Sequence, residues 1–191
     1  MSQILYIKNM VCGRCITAVD VVLRQSGLHP ASVELGRAVI EEKLSVRRRE
    51  SLKKKFAALG FELIEGRDER LINEIKTAVI EFVHYAPQQG GKRSHNLSAF
   101  ITDRCHRDYS SLSRLFSEAT GGSIERYAIR QRIEKVKELL IYDELTVSEI
   151  ACRLGYSSGA HLSAQFKAQT GLTPLQFRRM GGARRKALDE V

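Results

Sequence analysis

The sequence predicts an α+β protein in which a small N-terminal domain containing strands precedes a domain made of helices. Two observations lead to this prediction. Within the first 65 residues the apolar residues alternate between strand-like runs and helical spacing. In the second half, one helical pattern occurs twice, fifty residues apart. The composition, 43% hydrophobic and 28% charged residues, is ordinary for a folded protein.

Four strands and two helices are expected in the N-terminal domain. Apolar runs predict strands at 4–7 and 61–64, and a hairpin of 32–35 and 38–41 around Gly36. Helical spacing predicts a first helix with Ile16, Val19, Val22 and Leu23 on one face. It also predicts a second, basic helix with Leu52, Phe56 and Leu59 on one face. The order β-α-β-β-α-β is that of a ferredoxin-like domain. We place this domain at residues 1–66.

The repeat dominates the second domain, placed at residues 67–180. Leu112-x3-Phe116-x3-Thr120-Gly121-x-Ser123-x3-Tyr127 returns as Leu162-x3-Phe166-x3-Thr170-Gly171-x-Thr173-x3-Phe177. Each copy predicts two helices joined by a tight turn, which is a helix-turn-helix. A helix to about Tyr85 and a loop at 87–94 precede the copies, and a long helix at 123–142 joins them. Thr146 and Thr173 have the pattern of helix N-caps, and residues 181–191 are expected to be a frayed basic tail.

The charge balance favours a polyanionic partner. There are 31 Lys and Arg against 22 Asp and Glu, a net charge of +9, which fits nucleic acid. No apolar stretch approaches the roughly 20 residues of a membrane helix, and residues 1–3 lack the features of a signal peptide, so we expect a cytoplasmic protein without membrane contact. No catalytic constellation is present, and the chain is not expected to be an enzyme.

One long motif in the second half resembles the AraC/XylS family of bacterial transcription regulators. It is the run Glu149-Ile150-Ala151-x3-Gly155-Tyr156-x5-Leu162-x3-Phe166-x4-Gly171-x-Thr173-Pro174-x2-Phe177-Arg178. The similarity covers about 68–180 and implies a seven-helix DNA-binding domain with two helix-turn-helix units. Promoter DNA is the implied partner, with RNA polymerase if the protein is an activator, and a homodimer is a further expectation.

DNA contacts are expected at the start of the second helix of each unit, off the apolar stripe. The candidates are Ser110, Ser111, Ser113 and Arg114 in the first unit, and Ser157, Ser158, Gly159, Ala160, His161 and Ser163 in the second. Arg114 is the strongest, because arginine can bind guanine through two hydrogen bonds, and the position matches one that commonly contacts DNA in the family; a phosphate contact is the alternative. The second helix-turn-helix has small residues at these positions, including Ala164 where the first has Arg114, which predicts weak base reading. Ser157 and Ser158 are expected to cap its second helix.

Two cysteines, Cys12 and Cys15, lie where the first strand passes into the first helix. Thiolates are favoured at a helix N-terminus, and two at this spacing can bind Cu(I) or supply part of a Zn(II) site. Met10-x-Cys12-x2-Cys15 and the β-α-β-β-α-β order are similar to heavy-metal-associated domains, in some of which an aromatic residue like Phe61 shields the metal. A redox dithiol and a domain that binds no metal are the alternatives. Met10, Cys105 and Cys152 are interpreted as buried apolar residues.

The sequence therefore predicts a transcription regulator that responds to a soft metal ion. Two other functions remain open. One is a metallochaperone with a helical partner domain, and the other is a regulator whose first domain senses a non-metal ligand or only dimerises.

Overall fold

Strands and helices alternate at the start of the chain, and helices alone follow. The computed structural model describes residues 2–85, 96–142, 144–180 and 188. The chain divides into two compact units, 1–77 and 78–191. Within the described ranges, no helix has both the length and the apolar character needed to cross a membrane.

The first unit contains a four-stranded antiparallel sheet with two helices between its strands. Its elements are β1 (Gln3–Lys8), α1 (Gly13–Gln25), β2 (Pro30–Glu34), β3 (Arg37–Ile40), α2 (Val46–Ala57) and β4 (Glu62–Ile64). The strand order is β2-β3-β1-β4, so β1 pairs with both β3 and β4. The predicted order of strands and helices is therefore confirmed.

One face of this sheet and both helices enclose a single apolar core. Alternate residues of the two central strands are buried, as expected when one face of a sheet is covered. The helices contribute Val19, Leu23, Leu52 and Phe56 to the same cluster. Leu59, predicted on the apolar face of α2, is 52% exposed, and this expectation was wrong. The helix ends at Ala57, so Leu59 lies in the turn before Gly60 and not on the helical face.

The third helix, α3 (Arg67–Ile80), starts in the first unit. Its Asn73 amide donates to the Ile7 carbonyl at 3.3 Å, and the Arg70 guanidinium lies 5.1 Å from the centre of the Tyr6 ring. These contacts with β1 explain why the division falls at 77/78, inside the helix, whereas the sequence placed the boundary at its start, 66/67.

Helices make up the described part of the second unit. A π-helical turn (Glu81–Tyr85) follows α3 directly, and then come α4 (Leu97–Cys105), α5 (Tyr109–Thr120), α6 (Ile124–Tyr142), α7 (Val147–Arg153), α8 (Gly159–Thr170) and α9 (Pro174–Arg179). The predicted loop at 87–94 lies outside the described residues. So does the predicted tail at 181–191, except for Leu188, whose carbonyl accepts a hydrogen bond from the Gln131 amide at 2.9 Å.

Gly36 gives a test of the packing of α3 in the first unit. Gly36 and Gly60 both have left-handed backbones, with φ of +80° and +81°. A Cβ at Gly36 would lie 2.8 Å from Thr77 Oγ1 and 3.0 Å from Asn73 Nδ2, whereas a Cβ at Gly60 would have no neighbour within 4 Å. Gly60→Ala should cost about 1–2 kcal/mol for the backbone alone. Gly36→Ala should cost about 1–3 kcal/mol more, because Thr77 and Asn73 are buried.

Amide hydrogen exchange in β1 and β3 measures both losses in the same elements. Equal losses in the two variants would contradict the close approach of α3 to the hairpin turn.

Candidate functional site

The two predicted helix-turn-helix repeats are formed by α4–α5 and α7–α8. Corresponding residues begin and end corresponding helices: Asn96 and Thr146 cap the first helices, Asp108 and Ser158 cap the second helices, and Gly121 and Gly171 end the second helices with left-handed backbones. Thr146 forms the predicted capping box, and Thr173, predicted as an N-cap, forms a complete capping box as well. The repetition in the sequence is therefore a repetition of structure.

An aromatic pair joins the second helix of each repeat to the helix that follows. The rings of Phe116 and Tyr127 are 5.8 Å apart, and those of Phe166 and Phe177 are 5.5 Å apart. All four side chains are at most 3% exposed. These residues hold the helices at their crossing and are not available to DNA.

The first recognition helix, α5, begins at an acidic cap. The Asp108 carboxylate accepts hydrogen bonds from the Ser111 N–H and the Ser110 hydroxyl, both at 2.8 Å. These two bonds, the hydroxyl foremost, lower the pKa of Asp108. Ser110 and Arg114 are exposed, and Ser111 and Ser113 are half-buried. The cap places a negative charge at the helix N-terminus, which disfavours a phosphate there. Arg114 is the cationic side chain of α5, and it is the group that can approach DNA.

Asp108 was not among the predicted site residues. The signal was available, because an aspartate directly before Tyr109-Ser110-Ser111 is a strong N-cap pattern. A second unpredicted contact joins α5 to α6: the Tyr109 hydroxyl donates to the Glu125 carboxylate. Burial, together with this carboxylate, raises the pKa of Tyr109, and the same hydrogen bond lowers the pKa of Glu125.

The second recognition helix, α8, begins at a neutral cap. Ser158 accepts from the His161 N–H at 3.1 Å, as predicted for a cap. Ser157, also predicted to cap, instead has its hydroxyl 3.0 Å from His161 Nδ1, because it precedes the capping position. Both serines, Ala160 and His161 are exposed, whereas Ser163 is half-buried and donates to the Gly159 carbonyl at 2.8 Å. Exposed polar groups therefore lie at the start of the helix, and Lys167 and Gln169 are exposed nearer to its end.

Gly159 has a structural reason to be small. A Cβ at this position would lie 3.2 Å from Ser148 Oγ and 3.6 Å from Ser148 Cα on α7. Glycine thus allows α7 and α8 to approach each other closely. Ala164, which stands where α5 has Arg114, is exposed and can make apolar contacts alone.

In the first unit, Cys12 and Cys15 lie together as the sequence predicted. Cys12 is the N-cap of α1, Cys15 lies in its first turn, and their Sγ atoms are 3.5 Å apart. Both are free thiols and half-buried. Burial raises the pKa of Cys12, but hydrogen bonds from Cys15 and Arg14, with the Arg14 charge, outweigh it and the pKa is lowered overall. Burial, together with the neighbouring Cys12, raises the pKa of Cys15.

The surroundings of the thiol pair restrict the metal it could hold. Among the described residues, no group of three or more His, Cys, Asp or Glu side chains could bind a metal ion together. Met10 is 2% exposed and belongs to the core, as predicted, and Phe61 is 7% exposed with its ring edge against Phe56. Two sulfur donors suit a soft ion of low coordination number such as Cu(I) better than Zn(II), which in structural sites takes four ligands.

The remaining cysteines differ in burial. Cys105 is 8% exposed, as expected of a buried apolar residue. Cys152, predicted to be buried, is exposed, so that prediction was wrong. On α7 the buried positions are Ile150 and Ala151, and Cys152 follows them around the helix to the outer face.

Known proteins and a protein-family model are similar to part of this chain. A family model described as "Helix-turn-helix domain" matches residues 101–180. The chain is 38% identical over 72 residues to the HTH-type transcriptional activator RhaR of Cronobacter sakazakii, covering 38% of this chain and 25% of that protein. It is 41% identical over 75 residues to the uncharacterized transcriptional regulatory protein YesN of Bacillus subtilis, covering 38% of this chain and 20% of that protein.

A solved structure agrees with these sequence matches. The C-terminal domain of AraT, a response regulator from Geobacillus stearothermophilus, has a TM-score of 0.50 and 25% identity, covering 63% of this chain and 91% of that domain. For the two curated relatives named above, the match covers a quarter or less of their length. Both curated relatives are named as transcriptional regulators, and the family model identifies a helix-turn-helix domain in this chain.

Alkylation tests the unequal thiols of the first unit. Because the pKa of Cys12 is lowered and that of Cys15 raised, iodoacetamide should modify Cys12 first, and its rate should reach a plateau at a lower pH. Mass spectrometry of the cysteine peptides measures both rates, with the exposed Cys152 and the buried Cys105 as references for access. Equal rates, or a faster Cys15, would contradict this arrangement of charges and hydrogen bonds.

Proposed function

We propose that the chain is a sequence-specific DNA-binding transcription regulator of the AraC type, because a helix-turn-helix family model matches residues 101–180. One observation carries the proposal: two copies of the same capped helix occur in one unit, each with exposed polar groups at its start. A helix presented in this way can enter the major groove with its N-terminal residues against the base edges. Two copies suit two successive grooves of promoter DNA.

In the first repeat, we assign base reading to Arg114. Its guanidinium is exposed on the second turn of α5 and can donate two hydrogen bonds to O6 and N7 of a guanine. Ser110 is exposed beside it but already donates to Asp108, and the Ser111 N–H is used in the same way. These serines therefore position the helix more than they read bases.

In the second repeat, we assign α8 mainly to the DNA backbone. Ser157, Ser158 and His161 present hydroxyl and imidazole groups at the start of the helix, where the helix dipole favours a phosphate. Gly159, Ala160 and Ser163 are too short to make paired hydrogen bonds with a base. Contact with thymine methyl groups and with the shape of the groove is what such a surface can provide.

Arg114→Ala tests the assignment of base reading. It should weaken binding to a selected target sequence by about 1–3 kcal/mol, because the two hydrogen bonds to guanine are lost. Binding to random DNA should weaken much less. Titration of both duplexes at fixed salt measures the difference. Lys167→Ala is the matched control, since it removes an exposed cation from α8 beyond its first turns. An equal loss on the two duplexes would reduce Arg114 to a phosphate contact.

For the first unit, the strand order and the thiol pair support a ferredoxin-like, heavy-metal-associated domain. The strand order β2-β3-β1-β4 interposes another strand between the two parallel strands of each βαβ unit, which is the split βαβ arrangement. The thiol pair lies at the start of α1, and the buried Phe61, directly before β4, belongs to the core against which Cys15 packs. We assign Cys12 and Cys15 as ligands of a soft ion, Cu(I) in preference to Zn(II).

A route from the thiol pair to the second unit is part of this proposal. The loop with the cysteines follows directly on β1, and the Ile7 carbonyl of β1 accepts from Asn73 on α3. Capture of an ion would fix the loop and bias the packing of α3, which continues into the second unit. The ion can act in this way only if it binds one arrangement more tightly than the other. A homodimer, and contact with RNA polymerase in an activator, belong to the same proposal.

Replacement of both thiols tests the metal response. Cys12→Ser with Cys15→Ser should abolish Cu(I) binding in competition with a chelator and remove any metal response of a promoter reporter. DNA affinity without metal should be unchanged. Cys152→Ser is the control, because it removes an exposed thiol from the second unit. A metal response that persists without Cys12 and Cys15 would eliminate the metal hypothesis and leave DNA binding untouched.

A further inference from the structure

The cations of α2 fall into two groups that differ in their partners. Arg49 and Lys53 are half-buried, and both are bound to the Glu65 carboxylate, at 3.2 Å and 3.1 Å. Lys53 also binds Glu50 at 3.2 Å. This flank of the helix is therefore close to neutral.

The other four cations of α2 form an exposed surface, which we call the basic strip: Arg47, Arg48, Lys54 and Lys55, with Ser51 at its centre. In the part of the chain that the structure describes, none of the four has a carboxylate within ion-pair distance. Arg47 and Lys54 are seven residues apart, as are Arg48 and Lys55, so each pair is stacked about 10.5 Å apart along the helix. Ser51 lies one turn from each of them.

The basic strip is electrostatically unfavourable for the folded chain alone. Arg47 and Arg48 lie in the first turn of α2, where the helix dipole disfavours positive charge, and this turn contains no acidic residue. Lys54 and Lys55 lie in the last turn, where the dipole favours cations, but they add like charges to the same face. The unfavourable charge at Arg47 and Arg48 is easier to explain if an anionic partner compensates it.

Hydroxyl groups border one side of the basic strip. Arg48, Ser51 and Lys55 share a shallow depression with Ser26, and leucine side chains line the rest of it. The Lys55 ammonium donates to Ser26 Oγ at 2.9 Å, which holds a cation and a hydroxyl next to each other. Because Ser26 Oγ already donates to the Val22 carbonyl at 2.7 Å, Ser51 supplies the hydroxyl donor beside the cations. Cations combined with a hydroxyl donor are groups with which proteins bind phosphate oxygens.

We propose that the basic strip binds the phosphate backbone of the same DNA duplex that the helix-turn-helix repeats recognise. The proposal rests on the proposed DNA-binding function. Cations spread over two helical turns match the repeated charges of a DNA strand better than a single small anion. The strip is also tethered to the repeats by the chain, which raises its effective concentration near bound DNA. The first unit thus adds affinity without adding sequence preference.

Two double variants of the full chain test the proposal. Arg47→Gln with Lys54→Gln neutralises the solvent side of the basic strip, and Arg49→Gln with Lys53→Gln neutralises the paired flank. Each variant replaces one arginine and one lysine of the same helix, so the net charge changes equally. The measurement is the salt dependence of binding to a long duplex of mixed sequence and to a selected target sequence, with far-UV circular dichroism to confirm folding.

The strip variant should reduce the slope of log K against log salt by about 1.8, since each phosphate contact contributes about 0.9. The reduction should be the same on both duplexes, and the flank variant should leave the slope near that of the wild type. Equal slopes in the two variants would show an effect of net charge alone and overturn the proposal. An unchanged slope in the strip variant would also overturn the proposal, and the anionic partner of the basic strip would then be an acidic protein. A wild-type chain without DNA affinity would refute the proposed function itself.

Discussion

A buried pair of aromatic rings closes each helix-turn-helix repeat, and the exposure of each recognition helix depends on it. Phe116 packs on Tyr127 and Phe166 packs on Phe177, with ring centres 5.8 Å and 5.5 Å apart. Because one ring of each pair belongs to the recognition helix and the other to the helix after it, the pair fixes the angle between them. The polar side chains on the opposite face then point outward.

Corresponding scaffolds carry different chemistry at their exposed ends. The first recognition helix has an anionic cap, Asp108, and a long cation, Arg114, on its second turn. An anion at the cap repels a phosphate there and leaves the arginine to make the favourable contact with a base edge. The second helix has a neutral cap, Ser158, and Ala164 at the position of Arg114. Its unopposed dipole favours a phosphate. Cap and side chain therefore support the same division of roles.

Local patterns predicted the elements well, because apolar spacing, capping residues and turn glycines act within a few residues. The β-α-β-β-α-β order, the N-caps at Thr146 and Thr173 and the juxtaposition of Cys12 with Cys15 follow from such patterns. Local patterns did not reveal features that depend on a neighbour distant in the sequence. Gly159 is small because Ser148 lies against it, and Arg49 and Lys53 are neutralised by Glu65, which follows them by a turn and a strand. The end of α2 before Leu59 and the outward position of Cys152 depend on where each helix meets the core.

Selection of binding sequences from a random duplex pool tests the unequal roles of the two repeats most directly. If the first repeat reads bases and the second binds mainly the backbone, selected sequences should share a strongly restricted stretch that includes a guanine. About one helical turn away, or 10 base pairs, the preference should be weak and related to groove shape. Two stretches of equal information, one turn apart, would contradict this division and show that both repeats read bases.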